Sequence, residues 1–178
     1  MPLLNGTHRT YATHVPHVPE TTVNHRQRLP TTINFPPMPD LSAALASLPH
    51  GPEFRFVDEI VALEPGKSAT GRFTLKGTEA FLAGHFPGQP IMPAVLLIEA
   101  VAQVAGIAAQ TDPQLGALPN LRLTAVRNTK IFRAAQPGES LEITAEIGGR
   151  LGNHIQATGR VSSDGIPVAE SQIVLSGG

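Results

Sequence analysis

Between residues 93 and 110 the chain reads Pro-Ala-Val-Leu-Leu-Ile-Glu-Ala-Val-Ala-Gln-Val-Ala-Gly-Ile-Ala-Ala-Gln, and this run constrains the fold more than any other segment. Its apolar residues fall on nearly every side of a helix about 27 Å long, at 1.5 Å per residue. A helix without a polar face has to be covered all round, by lipid or by other protein. Glu99 near its middle, Gln103 one turn later and the lack of basic or aromatic anchors at its ends argue against lipid. A charge at the bilayer centre costs several kcal/mol. No membrane span is expected; a sheet wrapped round a buried helix is.

The flanking sequence supplies the strands. Asp40 reads as the N-cap of a short helix over Leu41–Leu48, stopped by Pro49. Phe54–Leu63 and Ser68–Leu75 read as a hairpin turned at Glu64-Pro65-Gly66. After the long helix, extended runs at Leu121–Phe132, Ser140–Ile147, His154–Val161 and Ile166–Leu175 are punctuated by Pro137-Gly138 and Asp164-Gly165. Short turns between successive strands imply an antiparallel sheet, hence an α+β fold around one central helix.

Residues 1–40 differ in kind. They hold seven of the 17 prolines and four of the seven histidines (His8, His14, His17 and His25), with apolar residues in neither a strand nor a helix period. An arm without its own core is expected there, solvated or packed on a partner subunit, with the folded domain over residues 41–178. No histidine pair in the arm has the i,i+4 spacing of a helical metal site. No basic start leads into the apolar run of a secretory signal, so the expected location is the cytoplasm. Arg9, Arg26 and Arg28 against only Glu20 and Asp40 leave an organelle transit peptide open. Thirteen basic and 14 acidic residues give a net charge of -1, which disfavours nucleic acid as a partner. The absence of cysteine excludes disulfides, thiolate nucleophiles and cysteine-ligated metal.

An acidic side chain inside a buried helix must be paired, hydrogen-bonded or kept protonated. Glu99 therefore either anchors a buried donor or serves as an acid for a leaving group, with Gln103 on the same face to orient it. Just upstream, Gly84-His85-Phe86-Pro87-Gly88-Gln89-Pro90-Ile91-Met92-Pro93 is dense in Gly and Pro. Such a loop places His85, whose neutral imidazole can accept a proton at neutral pH. Pro93 suits the first helical turn, and the N–H groups of Ala94 and Val95 project from the positive end of the helix dipole. That is a place for a thioester carbonyl as it gains enolate charge. A base, an acid and an oxyanion site describe proton abstraction beside a carbonyl with loss of water.

Gly84-His85-Phe86-Pro87-Gly88, Pro90-Ile91-Met92-Pro93-Ala94-Val95-Leu96 and Glu99-Ala100-Val101-Ala102-Gln103 together resemble the signature of the FabZ-type (3R)-hydroxyacyl-acyl-carrier-protein dehydratases. The 14-residue step from His85 to Glu99 matches the family spacing. Leu48-Pro49-His50 through Phe56-Val57-Asp58, Lys130-Ile131-Phe132-Arg133 with Pro137-Gly138-Glu139, and Val168-Ala169-Glu170 are similar to further family motifs, so the likeness covers about residues 46–176.

The resemblance implies a hotdog fold and a homodimer, alone or as a trimer of dimers, in which two protomers join their sheets. It implies that His85 of one protomer takes the C2 proton while Glu99 of the other protonates the departing 3-hydroxyl. Ala94 and Val95 would hold the carbonyl, with Gly84, Phe86, Pro93 and Gln103 in support. No metal or redox cofactor is implied; the substrate would arrive on the phosphopantetheine of acyl carrier protein. Lys130, Arg133 and Arg127 would be docking charges for that acidic partner, with an ordinary solvated strand edge as the other reading. Phe81, Phe86, Leu97 and Val101 would line an acyl tunnel, with plain core as the other reading. The product would be a trans-2-enoyl chain, in fatty-acid or related polyketide and lipid synthesis.

Three departures stand out: Ala94, the residues after Arg133, and the Pro-rich arm, which has no counterpart in the compact family members. Ala94 replaces the family's usual glycine, adding a methyl beside the thioester. Ala134-Ala135 follow Phe132-Arg133 where basic residues before Pro-Val are common, which implies altered docking. Glutamate at 99, where FabA-type enzymes use aspartate, favours dehydration without double-bond isomerisation. A hotdog acyl thioesterase with Glu99 activating water, and a non-catalytic carrier-protein-binding subunit, are the alternatives. His85 and Glu99 together disfavour both.

Overall fold

The computed structural model describes residues 38–178, so the arm expected over residues 1–40 lies outside the described residues except at its end. Helix α1 (Leu41–Ala46) starts at Asp40, whose carboxylate accepts the Ala43 N–H at 2.9 Å. Strands β1 (Glu59–Glu64) and β2 (Ser68–Thr74) form the expected hairpin, and helix α2 spans Ala94–Gln110. Then come β3 (Arg122–Ile131), β4 (Ser140–Leu151), β5 (His154–Ser163) and β6 (Ile166–Ser176). All pair antiparallel in one six-stranded sheet of order β1-β2-β4-β5-β6-β3, the hotdog arrangement of a sheet round one helix.

Turn lengths alone do not give that order. Strand β3 follows α2 directly yet pairs with β6, while β4 takes the place beside β2. The helix crosses the inner face of the sheet and delivers the chain to its opposite edge. β3 is thereby an edge strand.

Sheet and helix approach closely because small residues face each other. Along β5, Ile155, Ala157, Gly159, Val161 and Ser163 point inward and are buried, alternating with more exposed neighbours. From α2, Leu97, Ala100, Val101, Val104, Ala105 and Ala108 are buried in the core. A Cβ at Gly159 would overlap Val101 and lie 2.9 Å from the carbonyl oxygen of Thr144. Gly159→Ala is therefore expected to cost about 1–3 kcal/mol through overpacking, read as a lower denaturation midpoint. A midpoint at or above the wild-type value would refute the close approach.

Two local expectations are corrected. Phe54–Leu63 is not one strand: Pro52–Phe54 forms a 3-10 turn and β1 begins only at Glu59. The backbone of Phe54 and Phe56 is held by a side chain of α2, and only at Asp58 does the segment reach β2, through the Arg72 carbonyl. Pro93 is the N-cap of α2 and not a residue of its first turn, because its ψ of 131° is extended. Its carbonyl accepts the N–H of Leu96 at 2.9 Å. No described helix is long and apolar enough to cross a membrane.

Candidate active site

The face of α2 turned away from β5 carries Glu99, Ala102, Gln103, Gly106, Ile107 and Gln110, and these line a cavity of about 580 Å³. Residues 47–50 with Phe54, and residues 118–123 with Leu175, complete its walls. At Gly106 the wall is thin: a Cβ there would meet only Leu121, at 4.0 Å.

Gln103 organises one end of this cavity. It is 2% exposed, and its Oε1 accepts the backbone N–H of Phe56 at 2.9 Å. Its Nε2 donates to the carbonyl of Phe54 at 2.9 Å and to Oε1 of Glu99 at 3.1 Å. One backbone donor and one backbone acceptor thus fix which way the amide points. Glu99 is 20% exposed at the cavity wall, and Nε2 of His50 lies 3.4 Å from the same Oε1. The sequence expectation that Glu99 is paired holds, although the carboxyl opens on a cavity instead of lying sealed in the core. His50 was missed as a member of this site; its only signal was its place in the Leu48-Pro49-His50 motif.

His85 sits in the loop between the 3-10 turn Ala80–Leu82 and α2. Its Nδ1 lies 3.0 Å from the carbonyl oxygen of Ile91. A carbonyl can only accept, so Nδ1 is the donor, and in the neutral ring Nε2 keeps its lone pair. Phe86 follows at φ 55°, with its ring 4.6 Å from the imidazole. Gly88, at φ 86°, adopts the left-handed backbone that favours glycine, whereas nothing crowds a Cβ at Gly84. The N–H of Met92 donates to Ala135 at 2.9 Å, pinning the end of the loop to the β3–β4 turn. His85 does not line the Glu99 cavity. Ala94 and Val95 stand where a helix start leaves N–H groups without intrahelical partners, and the Val95 side chain is 68% exposed.

Two groups of the expected residues are placed as follows. Leu97 and Val101 are buried in the core, Phe81 packs edge-on to Phe56 at 5.9 Å, and none of the three lines this cavity. The apolar cavity positions of α2 are Ala102, Gly106 and Ile107, on another face of the helix. Arg133 is not an unengaged docking charge. Its guanidinium donates to both carboxylate oxygens of Glu139, at 2.9 and 2.8 Å, and to the carbonyl of Ala134. Lys130 lies over the Phe132 ring at 4.8 Å, and Arg127 is exposed on β3.

The Arg133 hydrogen bonds hold the Glu139 carboxyl below its ordinary value, with the Gln136 N–H and Ser163 adding to the effect. A depressed carboxyl stabilises the fold above its unfolded value, about 4.3, and loses that contribution as pH falls through the folded value. Glu139→Gln is expected to cost about 1–2 kcal/mol at pH 7. The gap from wild type should narrow below about pH 4. A gap independent of pH in denaturation curves would contradict the ionic origin.

Among the described residues no three His, Asp or Glu side chains are grouped to hold a metal ion. The family model that matches is the FabA-like domain, over residues 48–172.

The chain belongs to the FabA-like family.

Within it, the chain is 36% identical to the "3-hydroxyacyl-[acyl-carrier-protein] dehydratase FabZ" of Rickettsia bellii, over 75% of this chain and 92% of that protein. It is 38% identical to the FabZ dehydratase of Geotalea uraniireducens, over 75% and 93%. Among solved structures, the ApeI:P dehydratase heterocomplex of Xenorhabdus doucetiae superposes with a TM-score of 0.64 at 14% identity, covering 78% of this chain and 91% of that one. Zebra fish thioesterase superfamily member 2 does so at 0.57 and 17%, covering 76% and 91%. At such identities the structures show a shared fold. His85, Glu99 and Gln103 of this FabA-like chain all fall inside the matched span.

Proposed function

We propose that this chain dehydrates (3R)-hydroxyacyl chains carried on acyl carrier protein, giving trans-2-enoyl thioesters, in the cytoplasm and in fatty-acid or related lipid synthesis. The observation that carries the reading is a base and an acid, each fixed by a hydrogen bond that leaves its reactive atom free. His85 is held through Nδ1 and, as a neutral ring, keeps the Nε2 lone pair; Glu99 is held through Oε1 at the wall of a cavity of mixed lining.

The reaction then balances without a redox partner. Nε2 of His85 takes the C2 proton while the thioester carbonyl, at the Ala94 and Val95 N–H groups, accommodates the enolate charge. Electrons from C2 form the C2–C3 double bond, the C3–O bond breaks, and Glu99 protonates the leaving hydroxyl to give water. His85 ends one proton richer and Glu99 one poorer, and exchange with solvent resets both.

His85 lies outside the Glu99 cavity of its own protomer, and the acid it works with belongs to a second copy. The exposed edge strand β3, with Val126 and Ile131, and the exposed Phe86 and Val95 near the helix start offer apolar surface for that copy. Lys130 and Arg127, two of the three basic residues on that strand, would face an acidic carrier protein, with Arg133 retained for the turn.

The test is direct. Incubation with carrier-bound 3-hydroxybutyryl chains should raise the absorbance of the conjugated enoyl product with no release of free thiol. Thiol without enoyl would make the chain a thioesterase. Carrier binding with neither product would make it a non-catalytic subunit.

A further inference from the structure

We propose that His50 is a positioning residue that donates from Nε2 to Oε1 of Glu99 in the same protomer, leaving Oε2 as the oxygen that delivers the proton. This rests on the dehydratase reading of Glu99.

The two ring nitrogens of His50 have different surroundings. Nε2 is 3.4 Å from Oε1 of Glu99. Nδ1 is buried and has no hydrogen-bond partner among the described residues. If Nδ1 carried the proton, a donor would be buried without an acceptor, and the Nε2 lone pair would face a carboxyl oxygen. The Nε2–H tautomer removes both conflicts. It leaves only a lone pair unmatched at Nδ1 and turns the Glu99 contact into a donor–acceptor pair. At 3.4 Å that pair is long, as catalytic hydrogen bonds often are before substrate closes a site.

The placement of His50 is built in. Its carbonyl accepts from the Arg55 guanidinium at 3.1 Å, and its ring lies 6.1 Å from Phe54. The Phe54 carbonyl is in turn held by Gln103, whose Nε2 also reaches Oε1 of Glu99. Two donors from different chain segments thus converge on one carboxyl oxygen. When Glu99 releases its proton to the leaving hydroxyl, both stabilise the new charge on Oε1, and Oε2 keeps its aim.

The experiment compares three substitutions in the full chain, with circular dichroism and oligomeric state confirming the fold. His50→Ala should lower kcat about 10–100-fold with KM within about twofold, since one positioned hydrogen bond is lost. His50→Gln sets an amide donor near the Nε2 position and should recover kcat to within about fivefold of wild type. His50→Asn sets its donor nearer Nδ1 and should behave as alanine does. Ring 15N resonances of His50 should show a protonated Nε2 and an unprotonated Nδ1. Wild-type kcat in His50→Ala, equal losses in the Gln and Asn variants, or a protonated Nδ1 would each overturn the inference. If His50→Ala fails to fold, the Gln–Asn comparison and the ring resonances still decide. An inactive wild-type protein would instead refute the dehydratase reading, while the tautomer would still be readable.

Discussion

Glu99→Gln is expected to lower the dehydration rate by about 10²–10⁴-fold, the range in which a positioned acid contributes, and His85→Ala should do the same. Glutamine keeps the shape of the side chain and can still accept from Gln103, so the fold should survive. Mixing the two variants tests which protomer supplies which group. If His85 of one copy serves Glu99 of the other, a mixed dimer carries one intact site and one doubly damaged site. Random exchange makes about half the dimers mixed, so recovery should approach a quarter of wild-type activity in a two-fold dimer. Demonstrated exchange with no recovery would mean that the base and the acid act within one chain.

Gln103→Leu is expected to produce the largest loss of stability among single changes at the site. The substitution keeps volume but removes three hydrogen bonds, from the Phe56 N–H, to the Phe54 carbonyl and to Glu99. Phe56 is buried, so its N–H would be left without a partner, at a cost of about 1–3 kcal/mol. With the Phe54 carbonyl also released, a total of about 2–4 kcal/mol should appear in chemical denaturation. Activity should fall as well, because Glu99 loses a donor and the 52–58 segment loses its tie to the helix. Unchanged stability would show that water replaces the amide at both backbone groups.

The strongest signals in the sequence were local ones. The Asp40 cap, the hairpin across Glu64-Pro65-Gly66 and the long helix depend on residues a few positions apart, and each is present. Glu99 and Gln103 were legible as neighbours because one helical turn separates them. What failed depended on partners far along the chain. Residues 54–58 were read as the start of the Phe54–Leu63 strand; the bonds to Gln103 that hold them span 47 and 49 residues and leave no local trace. His50 carried no sign of Glu99 for the same reason. The edge position of β3 was hidden because a helix can return the chain to either side of a sheet. Arg133 misled differently: Glu139 was near in sequence, but a basic residue on a family docking motif was read as a surface charge. The unprotonated nitrogen of His85 required knowing where the Ile91 carbonyl points.

Gly106 sets two selective pressures against each other at one position. A glycine inside a helix costs about 1 kcal/mol relative to alanine. Nothing crowds the site, so alanine would fit, and a search for heat-resistant variants should find it readily. Yet each carbon added there would project into the cavity that Glu99 also lines, which on the proposed dehydratase reading would be the space for an acyl chain. Stabilised lineages should therefore shift toward shorter substrates, and a protein serving long chains should keep the weaker helix.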